Sequence, residues 1–145
     1  MREIKTEIEI YSSPINAWRI LTDFSSFHKW NPIIPQIAGE ARLGEKLVIS
    51  VMTSKGTVRT YTPTITRMNE NHELRWMGKS FIPGLLNGER IFRLSQISEK
   101  RTHLLHSEIF TGLGSYIAGG RLFKDVENSL RQMNNAFKKR VEETT

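Results

Sequence analysis

Residues 116–143, YIAGGRLFKDVENSLRQMNNAFKKRVEE, allow the fold to be predicted because they form the only segment with a long helical period. Apolar side chains recur there at alternating steps of three and four residues, as on one face of a helix. They are Leu122 or Phe123, Val126, Leu130, Met133, Phe137 and Val141. The opposite face is charged, and its late lysines suit the negative C-terminal end of a helix. One long helix with a single buried face is predicted.

Because of the glycine pair Gly119-Gly120, the sequence does not determine the residue at which this helix starts. Each glycine inside a helix costs about 1 kcal/mol relative to alanine. Either the helix starts near Arg121, or the backbone at the glycines comes close to the sheet or to a ligand.

Almost everything before this helix predicts strands, because apolar and polar residues alternate there. In the first stretch, residues 3–10, three isoleucines and Thr6 alternate with charged side chains. Further strands are predicted at residues 33–39, 46–53, 57–68, 73–77, 89–96 and 102–111. The long helix must pack against the sheet that these strands form. The fold class is therefore α+β, with an antiparallel sheet of about seven strands folded around a long C-terminal helix.

Two short helices are predicted after the first strand. Ser13-Pro14 supplies an N-cap and a proline at the first helical position. One face of that helix is apolar and carries Ile15, Trp18 and Leu21. Residues 24–30, which are rich in aromatic side chains, follow this helix, and Asn31-Pro32 then forces extended backbone. These helices are expected to cap the open end of the sheet.

Composition indicates a single domain over residues 1–145. The hydrophobic fraction of 38% and charged fraction of 25% are typical of a soluble globular protein, and no apolar run is long enough to span a bilayer. The N-terminal residues do not resemble a secretory signal, and the chain contains no cysteine, so we expect a cytoplasmic protein without stable membrane insertion. The net charge of +6 comes from scattered basic residues interleaved with acids, so no nucleic-acid partner is expected.

Three polar side chains are predicted to converge on the apolar interior. His106 and Glu108 share the inward face of the last strand with Leu104 and Phe110, and Arg90 is in phase with apolar residues of the preceding strand. A buried arginine and glutamate must pair to offset their desolvation. Three interpretations stay open: a structural cluster, a polar end of a ligand site, or a general acid or base (Glu108 or His106) with Arg90 stabilising an enolate.

Other chemistry is disfavoured. Gly112-x-Gly114 lacks the Gly-Lys-Ser/Thr of a phosphate loop, and no serine has the surroundings of a nucleophile. His103 and His106 are three residues apart on a strand, which puts them on opposite faces. We therefore expect no metal and no cofactor.

Short motifs in a particular order resemble the START/Bet v 1-like (SRPBCC) superfamily, and most of all its bacterial polyketide cyclase/dehydrase-like branch. They are the opening strand, Ser13-Pro14 with Trp18, Leu21-Thr22-Asp23-Phe24, Trp30-Asn31-Pro32, Pro83-Gly84 with Gly88, Phe92-Arg93-Leu94, Thr102 with His106, Glu108 and Gly112, and Met133-Asn134 with Lys138 and Glu142. The resemblance covers nearly the whole chain. It implies a helix-grip fold, in which a curved antiparallel sheet grips the C-terminal helix and encloses a cavity for an apolar small molecule.

The candidate ligand-binding residues are those expected to line that cavity. They are Trp30, Trp76, Phe81, Leu85, Arg90, Phe92, His106, Glu108, Phe123, Val126, Leu130 and Asn134. Phe81 and Leu85 belong to residues 79–87, an apolar loop with proline and glycine, which we expect to fold over the cavity mouth as a mobile gate.

Three functions compete at this point. The first is a monomeric or weakly dimeric protein that binds a small hydrophobic or amphipathic ligand. The second is an enzyme of the polyketide cyclase/dehydratase type in which Glu108, His106 and Arg90 act in the same cavity. The third is a protein-interaction module like the chaperone activators of the superfamily. Fold-level analogy cannot choose among them.

Overall fold

The computed structural model describes residues 1–79, 86–117 and 119–144. Three helices and a short 3-10 helix accompany eight strands in the described part of the chain. In chain order the elements are β1 (Arg2–Ile10), α1 (Pro14–Thr22), the 3-10 helix (Phe24–Lys29), β2 (Gln36–Ala38), β3 (Val48–Met52), β4 (Val58–Tyr61), β5 (Thr64–Asn69), β6 (Glu73–Lys79), β7 (Asn87–Ser98), β8 (Arg101–Thr111), α2 (Gly114–Ile117) and α3 (Gly120–Glu143).

The strands form two antiparallel sheets that are joined by an isolated bridge between the residues before β3 and the start of β5. The larger sheet has the order β1-β8-β7-β6-β5, and the smaller has the order β2-β3-β4. Just before β3 and β5, Lys46 bridges to Thr64, and the N–H of Leu47 donates to the carbonyl of Pro63 at 2.8 Å. The curved antiparallel sheet around a C-terminal helix is confirmed.

The buried face of α3 covers the inner face of the larger sheet. Phe123, and not Leu122, is the first buried residue of its stripe. Two apolar clusters result. Leu74, Trp76, Phe92, Leu104, Met133, Phe137 and Val141 belong to the larger one, together with residues of α1 and the 3-10 helix. Ile4, Phe110, Phe123 and Leu130 form the smaller one.

Two strand predictions need correction. Residues 57–68, predicted as one strand, form β4 and β5, separated at Thr62 and Pro63, where proline lacks the N–H that a continuous ladder needs. Residues 33–39 shorten to β2 because the side chain of Asn31 accepts from the N–H groups of Ile33 and Ile34, at 2.9 and 2.8 Å, and turns the chain there.

The structure corrects one helical prediction and agrees with one of the two alternatives for the start of the long helix, that near Arg121. Ser13 caps α1 as predicted, accepting from the N–H of Asn16 at 3.1 Å, but Ile15 is exposed because the buried face runs through Ala17, Trp18, Ile20 and Leu21. The long helix α3 starts at Gly120, with Gly119 as its N-cap. No helix among the described residues is long and apolar enough to cross a bilayer.

Candidate functional site

Register on the inner face of the larger sheet brings four polar side chains together. Arg90 on β7 lies opposite Glu108 on β8, and Thr6 on β1 lies opposite His106. Asn134 reaches the same place from the buried face of α3. On one side of these polar residues, β1, β7, β8 and α3 carry members of the larger apolar cluster. On the other side, β1, β8 and α3 carry members of the smaller cluster. The polar layer therefore separates the two clusters.

A continuous chain of hydrogen bonds runs through this layer. The side chain of Arg90 contacts Nε2 of His106 at 3.4 Å through Nη1. Nδ1 of His106 and Oδ1 of Asn134 are 2.7 Å apart. The amide of Asn134 donates to the hydroxyl of Thr6 at 2.8 Å, and that hydroxyl donates to the backbone carbonyl of His106 at 2.7 Å. Polar contacts inside an apolar core thus tie α3 to β1, β7 and β8.

The hydrogen-bond partners of His106 determine which of its two ring nitrogens carries the proton. Because a guanidinium only donates, Nε2 must accept from Arg90, so the hydrogen is on Nδ1 and donates to Asn134. Burial lowers the pKa of His106 well below its usual value of 6.5, and the charge of Arg90 lowers it further, against the raising effect of the Asn134 hydrogen bond. The ring is neutral, fully buried, and has a partner on each nitrogen.

Arg90 and Glu108 form the predicted ion pair. Nη2 of Arg90 donates to the carboxylate of Glu108 at 3.2 Å, and the two side chains are only 12% and 16% exposed. The Nε–H of Arg90 is buried and has no partner among the described residues. A buried donor without an acceptor costs about 1–3 kcal/mol, so an oxygen atom placed within reach of this group would be stabilised.

Gly88 makes room for the carboxylate. It is opposite Phe110 in the register of β7 and β8. A Cβ at Gly88 would lie 2.9 Å from Oε1 of Glu108 and 3.7 Å from the ring of Phe110. Only a residue without a side chain leaves Glu108 its present position beside Arg90.

Aromatic rings extend from the polar layer into the larger cluster. Phe92 stacks on the imidazole of His106, with ring centroids 4.3 Å apart. Trp76 packs edge-on against Phe92 at 5.2 Å, and Trp30 lies 5.5 Å from Phe137 of α3. Trp76 and Phe92 are almost fully buried, so at present they are part of the packed core.

The remaining candidate residues belong to the smaller cluster or fall outside the described part of the chain. Phe123 packs edge-on against Phe110 at 5.3 Å, Leu130 is buried, and Val126 is half-buried against the same cluster. Phe81 and Leu85, with most of the predicted gate, lie outside the described residues. His103 is on the outer face, 3.5 Å from Glu7, and so is separate from His106 as predicted.

Sequence reasoning missed Thr6 and Gly88 as members of the site. Thr6 was placed on the inward face of β1, and a hydroxyl among isoleucines was the available signal. Gly88 is one of the motif residues that carry the family resemblance, but its role beside Glu108 depends on a distance across two strands, which the motif does not contain. An open depression elsewhere contains none of the candidate residues and is lined by Phe24, Ser25, His28, Pro35, Gln36 and Ile37.

Comparison with known proteins identifies a family that matches most of the chain. A family model described as "Polyketide cyclase / dehydrase and lipid transport" matches residues 1–142. A search of curated proteins found no match.

Similar solved structures cover nearly the whole chain. A START superfamily protein from Mycobacterium smegmatis is 20% identical, with a TM-score of 0.81 and coverage of 99% of both chains. The Zhui aromatase/cyclase from Streptomyces sp. R1128 is 15% identical, with a TM-score of 0.80 and coverage of 97% of this chain and 93% of that one. Ara h 8.0201 is 15% identical, with a TM-score of 0.75 and coverage of 97% of both. At these identities the likeness establishes the fold.

Proposed function

The chain belongs to the polyketide cyclase/dehydrase and lipid transport family, and from that premise we propose that it binds an apolar or amphipathic small molecule between the larger sheet and α3. An uncharged oxygen of the ligand accepts a hydrogen bond from Arg90. The observation that carries this proposal is the buried Nε–H of Arg90, which has no partner among the described residues.

The surroundings of Arg90 favour a carbonyl or hydroxyl oxygen over a carboxylate. Glu108 already compensates the charge of Arg90 at 3.2 Å. A second carboxylate would be repelled by Glu108 and would also have to be desolvated. A neutral oxygen needs only the free donor and gains a charge-assisted hydrogen bond.

The apolar body of the ligand belongs beside the smaller cluster. Glu108 and Gly88 lie next to Phe110, which packs against Phe123. Val126 and Leu86 are only half-buried at the edge of this cluster, so they offer apolar surface that a ligand can cover.

His106 positions Arg90 in this account. Its two nitrogens are already bonded, to Arg90 and Asn134, and its ring is fully buried. It therefore holds the guanidinium through Nε2 and is not free to exchange protons with a ligand. Phe92, stacked on the imidazole, fixes the plane of the ring.

A second function, cyclisation or dehydration of a polyketone, is favoured by the adjacency of Arg90 and Glu108. Glu108 would remove a proton next to a ketone, and Arg90 would stabilise the enolate oxygen. His106 is excluded as the base because both nitrogens are engaged. Turnover of a polyketone that disappears in Glu108→Gln, while ketone binding persists, would establish this enzyme.

Binding of a matched pair of fluorescent naphthalenes tests the first function. One carries a ketone and the other an alkyl group of the same size. A hydrogen bond from a charged donor contributes about 1.5–3 kcal/mol, so the wild type should prefer the ketone by about 10- to 100-fold. In the double variant Arg90→Leu/Glu108→Leu the preference should vanish while the alkyl compound still binds.

Arg93→Leu is the matched control, because Arg93 lies on the same strand as Arg90 but on its outer face, where it bonds to Glu73 of β6. It should keep the ketone preference. Equal affinity of the wild type for both compounds would remove Arg90 from the binding site. Failure to bind either compound would contradict the proposed function altogether.

A further inference from the structure

Exposed apolar side chains cluster at the end of the molecule where β1 begins and β8 ends. Leu113, Tyr116 and Ile117 are 74%, 78% and 79% exposed, and Met1 and Leu122 are also exposed. Arg2 pairs with Phe110 in the sheet, and its guanidinium lies 4.2 Å from the ring of Phe123, which places Met1 at the same end as α2. We call these five side chains the end patch: Met1, Leu113, Tyr116, Ile117 and Leu122.

Basic residues surround the end patch. Arg2, Arg121 and Lys124 are exposed beside it. Lys79 joins them, because it pairs with Asn87, which pairs with Thr111 at the end of β8. The chain contains no acidic residue from Ile109 to Lys124. The acids that flank this stretch along the chain are Glu108, which is paired with Arg90 in the interior, and Asp125, which accepts from Ser54 at 3.3 Å. Near Met1, the first acid is Glu3.

We propose that the end patch docks on the surface of an anionic lipid bilayer. Apolar and tyrosine side chains that project from a basic surface suit the boundary between headgroups and acyl chains. Exposure of several large apolar side chains at one place marks an interaction surface. The four cations provide the electrostatic attraction to anionic lipid.

The charge pattern decides against a second copy of this chain as the occupant. A two-fold dimer would bring the same patch of both copies together. Arg2, Lys79, Arg121 and Lys124 of one copy would then approach the same cations of the other. An anionic bilayer complements these charges, and this docking does not depend on which ligand the interior binds.

Sedimentation with phosphatidylcholine vesicles, with and without phosphatidylglycerol, tests the docking. The wild type should bind only the anionic vesicles, and binding should fall as sodium chloride is raised. Tyr116→Ser/Ile117→Ser should lower the partition coefficient at least about tenfold, since two apolar side chains lose their contact with lipid. Tyr11→Ser/Ile15→Ser is the matched control, because Tyr11 and Ile15 are 59% and 67% exposed at the opposite end of β1.

Charge removal is the second arm of the test. Each basic residue near an anionic surface contributes about 1 kcal/mol, or about fivefold, so Arg121→Gln/Lys124→Gln should weaken binding about 25-fold. Lys100→Gln/Lys139→Gln, with the same loss of charge elsewhere on the surface, should bind almost as the wild type does.

Three results would overturn the proposal. One is a wild type that stays in the supernatant with anionic vesicles. Another is equal loss of binding in the patch variants and their controls. The third is self-association in analytical ultracentrifugation that depends on Tyr116 and Ile117 without any vesicle binding, which would assign the patch to a second copy.

Discussion

Arginines meet glutamates on both faces of the larger sheet, but they use their donors differently. On the outer face, Arg75 and Arg93 both donate from Nε to Glu73 at 2.7 Å, and Nε of Arg67 forms an ion pair with the same carboxylate at 2.8 Å. On the inner face, Arg90 donates to Glu108 and His106 through its terminal nitrogens, and its Nε is buried without a partner among the described residues. On the outer face each Nε therefore lies beside a carboxylate oxygen, whereas the Nε of Arg90 lacks an acceptor among the described residues.

Exposure explains why the two arrangements differ in cost. Arg67 and Arg93 keep 57% and 44% of their side chains in solvent. In this cluster Glu73, at 8%, is strongly desolvated, and Arg75, at 25%, is partly so. Although burial works to raise it, hydrogen bonds from Arg93 and Arg75 hold the pKa of Glu73 below its usual value. Inside, both Arg90 and Glu108 lose most of their hydration. The inner pair is therefore the more sensitive to loss of one partner.

The largest expected effect is that of Glu108→Leu. It leaves the buried charge of Arg90 uncompensated and should reduce the free energy of unfolding by about 3–5 kcal/mol, measured by urea denaturation. Replacing both residues in Arg90→Leu/Glu108→Leu should cost far less, because no unpaired charge is left. A double variant as unstable as the single one would show that the pair is not held together by its charges.

Acid should reduce the stabilising contributions of the inner and outer faces at different pH values. The pKa of His106 is lower in the folded protein than its usual 6.5. The unfolded chain therefore gains a proton below pH 6.5 that the folded chain does not bind. The contribution of His106 to stability should be fully present above pH 6.5. Below pH 6.5 the free energy of unfolding should fall by about 1.4 kcal/mol per pH unit.

His106→Gln should remove that part of the slope, whatever its own stability. Glu73 acts at lower pH, because its folded pKa lies below 4.5. Its contribution is present above pH 4.5 and is lost as the pH falls through the folded value. An unchanged slope between pH 6.5 and about 5.5 in His106→Gln would show that His106 titrates in the folded state.

Glu73→Gln should have a smaller effect, about 1–2 kcal/mol, because its arginine partners can return to solvent. The loss should shrink further in high salt, since exposed charges are screened. Urea denaturation at low and high sodium chloride measures both quantities. A loss as large as that of Glu108→Leu would contradict the contrast between the faces.

Gly88→Ala should affect binding more than stability. The new methyl group would approach Oε1 of Glu108 at 2.9 Å and push the end of a flexible side chain away from Arg90. The free energy of unfolding should fall by about 1 kcal/mol, less than in Glu108→Leu, because the ion pair is lengthened and not removed. The preference for the ketone over the alkyl naphthalene should nevertheless change, and an unchanged preference would argue that the position of Glu108 is irrelevant to the ligand.

The sequence predicted those features that depend on period and phase. The stripe of α3, the inward faces of β7 and β8, and the Arg90–Glu108 pair all follow from alternation and from the cost of burying charge. Errors arose where one local contact overrides a period. Asn31 turns the chain before β2, and Pro63 interrupts a strand whose alternation continues through it.

The function of the inner layer depends on distances that no pattern contains. In the sequence, Thr6 is one more residue of an alternating strand. The structure shows that the side-chain amide of Asn134 donates a hydrogen bond to it. The free Nε–H of Arg90 and the space above Gly88 depend on the rotamers of neighbouring side chains. The sequence therefore predicted which residues meet, and the structure was needed to find which donor is left over.

The most direct test of the central claim is the NMR signal of the Arg90 Nε–H during titration with the ketone naphthalene. The account predicts that this proton shifts downfield and exchanges more slowly with water as the ketone binds. The Nε–H signals of Arg75 and Arg93, which already donate to Glu73, should stay where they are. Saturation of the protein with ketone without any change at Arg90 would contradict the account.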